Sequence, residues 1–200
     1  MPTIRYLPAE LMAKHKAMLE CVPVSEFMRS PKYQKSKEEW CAAHFSQGYN
    51  KYISPCAVHV EEIDPQNDTD LELEVSGERY PVQSTEVQEP GRRRGDEYKT
   101  IAIGTESNRD WSPGTKNGSL WIAAAIEKKR DRYGRLSNLN LLVYANFPAY
   151  DMSYDQIKLV ASEYSEPFAS VWLLTGDCMA CIRPNPSLGH LPAWLRILGA

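Results

Sequence analysis

"DLELEVSGERYPVQSTEVQEP", residues 70–90, decides how this chain folds. Two alternating runs flank Ser76-Gly77, and a two-residue turn at that pair sets the register of both strands. Val75 then faces Glu78, Leu73 faces Tyr80 and Leu71 faces Val82, so apolar side chains gather on one side. On the other side Asp70 falls opposite Gln83, with Glu72 next to Asp70 and Thr85 two places beyond Gln83. A solvated face is enough to explain acidic and amide residues on a half-buried strand. The same register also brings a carboxylate and an amide oxygen together, a donor pair able to hold one hard divalent cation with waters completing an octahedron. Regular alternation puts Glu86 on the face opposite Gln83, whereas a bulge would turn it inward.

Outward from the hairpin, "CAVHVEEI" (56–63) alternates and is rich in valine, which predicts a strand. Before it, residues 8–20 read as a helix with Leu11, Ala13, Met18 and Leu19 buried. A second helix is predicted over roughly 30–50, capped by Ser30 and anchored by Tyr33, Trp40, Ala43 and Phe45. After the hairpin, residues 89–118 read as a long loop in which "YKTIAIG" forms one short strand. Ser119 then caps a helix over 119–133, whose cationic end is followed by Gly134. "NLNLLVYANF" (138–147) is a continuous apolar run of the kind found in central strands buried on both faces. A helix capped by Ser153, a buried strand "SVWLLTGD" and a neighbour "CMACIRP" follow. The arm at 183–200 is punctuated by proline, has a short amphipathic end, and packs on the body or on a second copy, so a homodimer is among the expected assemblies. The sum is a single α/β domain with a mixed sheet and helices on its faces.

Composition narrows the function. Hydrophobic residues at 42% and charged residues at 24% are globular values. A net charge of -3 excludes bulk attraction to nucleic acid, so any phosphate-binding surface has to be local. The longest apolar run, "LWIAAAI", is too short to span a bilayer, and the first twenty residues carry no apolar signal core. Five cysteines without an export signal point to free thiols in a cytoplasmic protein. Cys178-Met-Ala-Cys181 lacks the second ligand pair that a structural zinc needs. His15, His44, His59 and His190 show no ligand spacing, and no nucleophile elbow, phosphate loop or dinucleotide fingerprint occurs.

The element order and the hairpin resemble the PD-(D/E)XK, or restriction-endonuclease-like, nuclease superfamily over roughly residues 30–175. That resemblance implies an αβββαβ core, Mg²⁺ or Mn²⁺ as cofactor, and hydrolysis of phosphodiester bonds in DNA or RNA. Asp70 takes the place of the family's strand aspartate, and Gln83-Ser84-Thr85 falls where (D/E)-x-K would be. Thr85 departs from the family's lysine, a duty that Lys128 or Lys129 on the following helix would take over. Glu39, with Glu38 as its neighbour, matches the family's helix glutamate. Catalytic candidates are therefore Asp70, Gln83, Glu39, Lys128 and Glu86, with Asp70 and Gln83 as metal ligands. Arg92, Arg93, Arg94 and Lys129 are the candidates for contact with a phosphate backbone. Glu97-Tyr98-Lys99 is a literal E-x-K that competes with the hairpin but lacks a preceding acidic strand. The missing strand lysine also leaves a second reading, a catalytically inactive relative that works as a nucleic-acid-binding or interaction module.

Overall fold

The computed structural model describes residues 3–61, 69–92, 112–134, 136 and 138–197. Their elements run β1 (Thr3–Tyr6), α1 (Pro8–Cys21), α2 (Val24–Arg29), a 3₁₀ turn (Pro31–Tyr33), α3 (Gln34–Tyr52), β2 (Cys56–Glu61), β3 (Leu71–Val75) and β4 (Glu78–Val87). They continue through α4 (Ser112–Tyr133), β5 (Asn140–Ala145), a 3₁₀ turn (Ala149–Asp151), α5 (Tyr154–Ser165), β6 (Ser170–Thr175), β7 (Cys178–Arg183) and β8 (Leu195–Arg196).

All eight strands join one mixed sheet in sequence order. β1 to β4 form an antiparallel meander, β4, β5 and β6 run parallel, and β7 and β8 return antiparallel. The hairpin register is the one read from the sequence, with Val75 opposite Glu78, Leu73 opposite Tyr80 and Leu71 opposite Val82. Ser76 and Gly77 take φ values of 53° and 85°, the two positive values that a tight hairpin turn matching strand twist demands.

Helices cover both faces. One apolar layer joins α1 and α3 to the sheet through Leu11, Phe45, Tyr49, Leu73 and Trp172. The other joins α4 and α5 through Ile122, Ile126, Ile157, Leu141 and Leu173. β5 and β6 are buried along their whole length, which is why their sequences are continuous rather than alternating. Asn140 opens β5 inside this core because its amide is satisfied: it donates to the Pro81 carbonyl at 3.0 Å and accepts from Ser170 Oγ at 2.7 Å.

Several expectations change in detail. The buried face of α1 is Leu11, Met12 and His15 rather than Leu11 with Ala13, because the His15 ring packs edge-on against Phe27 at 5.6 Å. Ser30 marks a helix boundary without a side-chain cap, and α2 and β1 are additional elements. α4 begins at Ser112, so Ser119 is a buried residue inside the helix rather than its cap. The glycines that imitate a turn there let the helix approach Phe147; a Cβ at Gly114 would lie 3.1 Å from Phe147 Cβ. Ser153 does cap α5, accepting from the Gln156 N–H at 3.4 Å.

Cys178 and Cys181 lie three residues apart on a strand and so point to opposite faces, which separates them as ligands. The arm packs on the body: Leu188, Leu191 and Ile197 are buried, the Tyr49 hydroxyl donates to the Leu188 carbonyl at 2.8 Å, and Leu195–Arg196 form strand β8 beside β7. "YKTIAIG" lies outside the described residues. No helix among those described is long and apolar enough to cross a membrane.

Candidate functional site

β4 is longer than its neighbour. β3 pairs with Glu78 to Val82, whereas Val82 to Val87 pair with β5 on the other side. From Gln83 onward no strand among the described residues pairs with β4 on its β3 side, and backbone donors there need partners from elsewhere. Asp70, entering β3, supplies one. Its N–H donates to the Val82 carbonyl at 3.0 Å. Its Oδ2 accepts from the Ser84 N–H at 2.7 Å, from Ser84 Oγ at 2.5 Å and from Gln83 Nε2 at 2.8 Å. The carboxylate thus caps the fork where two strands separate, and three donors fix its direction.

The fork opens into a cavity of about 430 Å³ walled by α2, α3, α4 and the edge of β4. Asp70, Gln83, Ser84, Thr85 and Glu86 line its sheet side, Gln34, Lys37 and Glu38 its α3 side, and Lys129 reaches it from α4. Leu19, Phe27, Met28, Trp40, Cys41 and Tyr144 make the remainder apolar. Lys35 Nζ donates to the Asp70 carbonyl at 2.8 Å, and Gln34 Nε2 donates to Glu38 Oε1 at 3.2 Å.

Burial and then the charge of Asp70 push the Glu38 carboxyl above its ordinary range, against the pull of Lys35 and Lys129. Burial pushes the Lys129 ammonium below its ordinary value, while Asp70 and Glu38 act to hold its proton. Two carboxylates and an ammonium share one partly desolvated space, an arrangement more common at functional sites than on ordinary surfaces.

The other sequence candidates fall elsewhere. Glu39 turns toward α1 and pairs with Lys14 at 2.8 Å, one helical step away from the cavity that Glu38 enters. Lys128 is exposed on the solvent side of α4, whereas Lys129 faces inward. Glu86 needs no bulge to reach the rim; it stays in regular register with Tyr144, and its carboxylate accepts from Asn146 Nδ2 at 2.6 Å. Arg92 donates to the Asn146 carbonyl at 2.6 Å, which ties the strand exit to β5. Arg93, Arg94 and the Glu97-Tyr98-Lys99 motif lie outside the described residues. A second recess of about 670 Å³, at the ends of β5 and β6, contains none of these candidates.

The expected pairing of Asp70 and Gln83 as oxygen donors takes a different form. Gln83 is buried and presents its amide nitrogen, not its oxygen, to Asp70. The pair is a hydrogen bond, and the glutamine becomes a cation ligand only after its amide turns over. Among the described residues no group of three or more His, Cys, Asp or Glu side chains is set to hold a metal. Magnesium, however, ordinarily takes one or two carboxylates and completes its shell with waters and substrate phosphates. Asp70 and Glu38, facing one cavity, fit that smaller donor set.

No family model, no curated protein and no solved structure matches the chain.

Proposed function

We propose that the protein is a divalent-metal-dependent phosphodiesterase acting on nucleic acid, of the restriction-endonuclease-like kind, with its reaction in the cavity at Asp70. The observation that carries this reading is the convergence of Glu38 from α3, Asp70 at the strand fork and Lys129 from α4 on that one space. The run α3-β2-β3-β4-α4-β5, with an antiparallel meander followed by a parallel strand, is the αβββαβ order that the resemblance implies and lends it support. The role of the missing strand lysine at Thr85 passes in this reading to Lys129.

Ser84 and Gln83 orient the Asp70 carboxylate, and Glu38 supplies the second anionic oxygen donor. Mg²⁺ or Mn²⁺, when bound, supplies Lewis acidity at the phosphate and lowers the pKa of an attacking water. Lys129, partly desolvated, neutralises charge that develops on the phosphoryl oxygens. Lys35 and Lys37 add local positive charge on the α3 side of an otherwise acidic chain, consistent with a local rather than a global phosphate-binding surface.

Isothermal calorimetry with Mn²⁺ tests this directly. The parent is expected to bind the ion, and Asp70→Asn and Glu38→Gln are each expected to lose it. Undiminished binding in both variants contradicts the assignment. The capped state of Asp70 Oδ2, together with Thr85, favours one second reading, an inactive nuclease-like module that binds nucleic acid or a protein. That reading expects no Mn²⁺ binding by the parent and nucleic-acid affinity that Asp70→Asn leaves unchanged.

A further inference from the structure

The apolar half of the cavity has no task in metal or phosphate chemistry. One wall of it comes from α2, a six-residue helix between α1 and α3, whose Phe27 and Met28 share the space beside Asp70 with Leu19 of α1, Trp40 of α3 and Tyr144 of β5. Trp40 is only half-buried, yet its ring is held in place: it meets Tyr144 edge-on at 5.2 Å and leans on His44 at 4.3 Å. Phe27 is fixed in the same manner by His15 at 5.6 Å and Tyr33 at 5.5 Å. Lys37 lines the same cavity, its ammonium bonded to the Met28 carbonyl at 3.1 Å.

We infer that this aromatic wall receives one unpaired nucleobase, so that the substrate is a single-stranded or locally unpaired nucleic acid whose scissile phosphate lies against Asp70. The inference rests on the proposed phosphodiesterase reading for the position of the phosphate. A cavity of about 430 Å³ has the size of a small-molecule pocket, with room for a nucleotide and none for a stretch of duplex. A base inside a duplex is stacked and paired and enters such a pocket only after it is extruded, at a cost of a few kcal/mol. An unpaired base enters without that cost and stacks on an aromatic ring whatever its identity. Pre-positioned rings such as Trp40 lose little freedom on binding, which favours stacking further.

The test is metal-free equilibrium binding of a short single-stranded oligonucleotide and of its blunt duplex, read by tryptophan fluorescence and by anisotropy of a labelled strand. The single strand is expected to bind more tightly than the duplex and to quench fluorescence. Trp40→Leu is expected to weaken single-strand binding by about 5- to 150-fold, the value of one stacked base, and Trp40→Phe to restore most of it. Thermal melting of each variant confirms that it is folded, and Met28→Ala, on the α2 wall, serves as a second probe if Trp40→Leu is not. Duplex binding as tight as single-strand binding overturns the inference. So does single-strand affinity that neither Trp40→Leu nor Met28→Ala changes. Stacking that depends on Trp40 without any cleavage in Mg²⁺ or Mn²⁺ upholds the base pocket and removes the phosphodiesterase reading. Cleavage that depends on Asp70 but not on Trp40 does the reverse.

Discussion

Removing the Asp70 carboxylate is expected to lower stability as well as any activity. In Asp70→Ala the Ser84 N–H and the Ser84 hydroxyl lose the oxygen to which they donate, and the Gln83 amide keeps only its 3.3 Å bond to the Ser84 carbonyl. A hydrogen bond to a charged group contributes about 1.5–3 kcal/mol, and a buried donor left bare costs about 1–3 kcal/mol. Ser84 and Asp70 are only partly buried, so water replaces some of what is lost, whereas Gln83 is buried and falls back on the Ser84 carbonyl. The net cost should be about 2–4 kcal/mol, which lowers Tm by roughly 4–16 °C for a chain of this size. Asp70→Asn keeps an oxygen where Oδ2 stood for all three donors and loses only the charge that strengthens those bonds, so its cost should be nearer 1 kcal/mol. Urea denaturation of the three proteins, read by circular dichroism, measures both differences. Asp70→Ala within about 0.5 kcal/mol of the parent, the ordinary range for a surface substitution, would refute the capping role. The asparagine variant is accordingly the proper probe of chemistry at this position.

Other outcomes follow from the same geometry. Because the Glu38 carboxyl is raised in the fold, the native state holds its proton longer than the unfolded chain does. Stability attributable to it therefore falls as pH rises from the ordinary carboxyl range through the raised value, and Glu38→Gln should abolish that part of the pH dependence of unfolding free energy. His44 behaves in the opposite sense: burial lowers its pKa from 6.5 to about 4, so the unfolded chain takes the proton first and stability is lost as pH falls between those values. The loss is at most about 3 kcal/mol, and a His44→Leu variant that keeps the full acid slope would contradict the assignment. Gly118→Ala should cost about 1–3 kcal/mol in a thermal melt, since the added Cβ would sit 2.8 Å from Met152 Sδ and clash with the Phe147 ring. Lys129→Ala should reduce the salt slope of nucleic-acid binding by about one, whereas Lys128→Ala should leave it unchanged.

The sheet was legible wherever one local rule dominated. The Ser76-Gly77 turn fixed the hairpin register, and the uninterrupted apolar runs of β5 and β6 announced burial on both faces. α4 was read too short because Gly114 and Gly118 look like turn residues, and their reason lies in Phe147, a tertiary neighbour that local spacing does not show. β1 was missed because four residues of half-exposed strand carry no alternation of their own and depend on β2 for pairing. For the site, Asp70 and Gln83 were brought together by register alone, while the chemistry of their contact was set by Ser84, whose backbone donor sits just ahead of the start of β3. On the helices the sequence left Lys128 and Lys129 as alternatives and put Glu39 ahead of its neighbour Glu38, and helical phase decides both choices. Glu38 stands in the sheet-facing row with Cys41, Phe45 and Tyr49, and Lys129 stands in the row with Ile122, Ile126 and Tyr133. The wall contributed by α2 was not legible, since six residues between two longer helices give too short a pattern to establish a face.

Cleavage of labelled single-stranded and duplex DNA and RNA in Mg²⁺ or Mn²⁺, by the parent and by Asp70→Asn prepared in parallel, tests the central claim most directly. The convergence of Glu38, Asp70 and Lys129 on one cavity predicts metal-dependent cleavage by the parent and a loss of at least about 100-fold in the variant, the scale of removing a group that acts on the transition state. A parent that cuts none of these substrates, or an Asp70→Asn protein that cuts as fast as the parent, would contradict it.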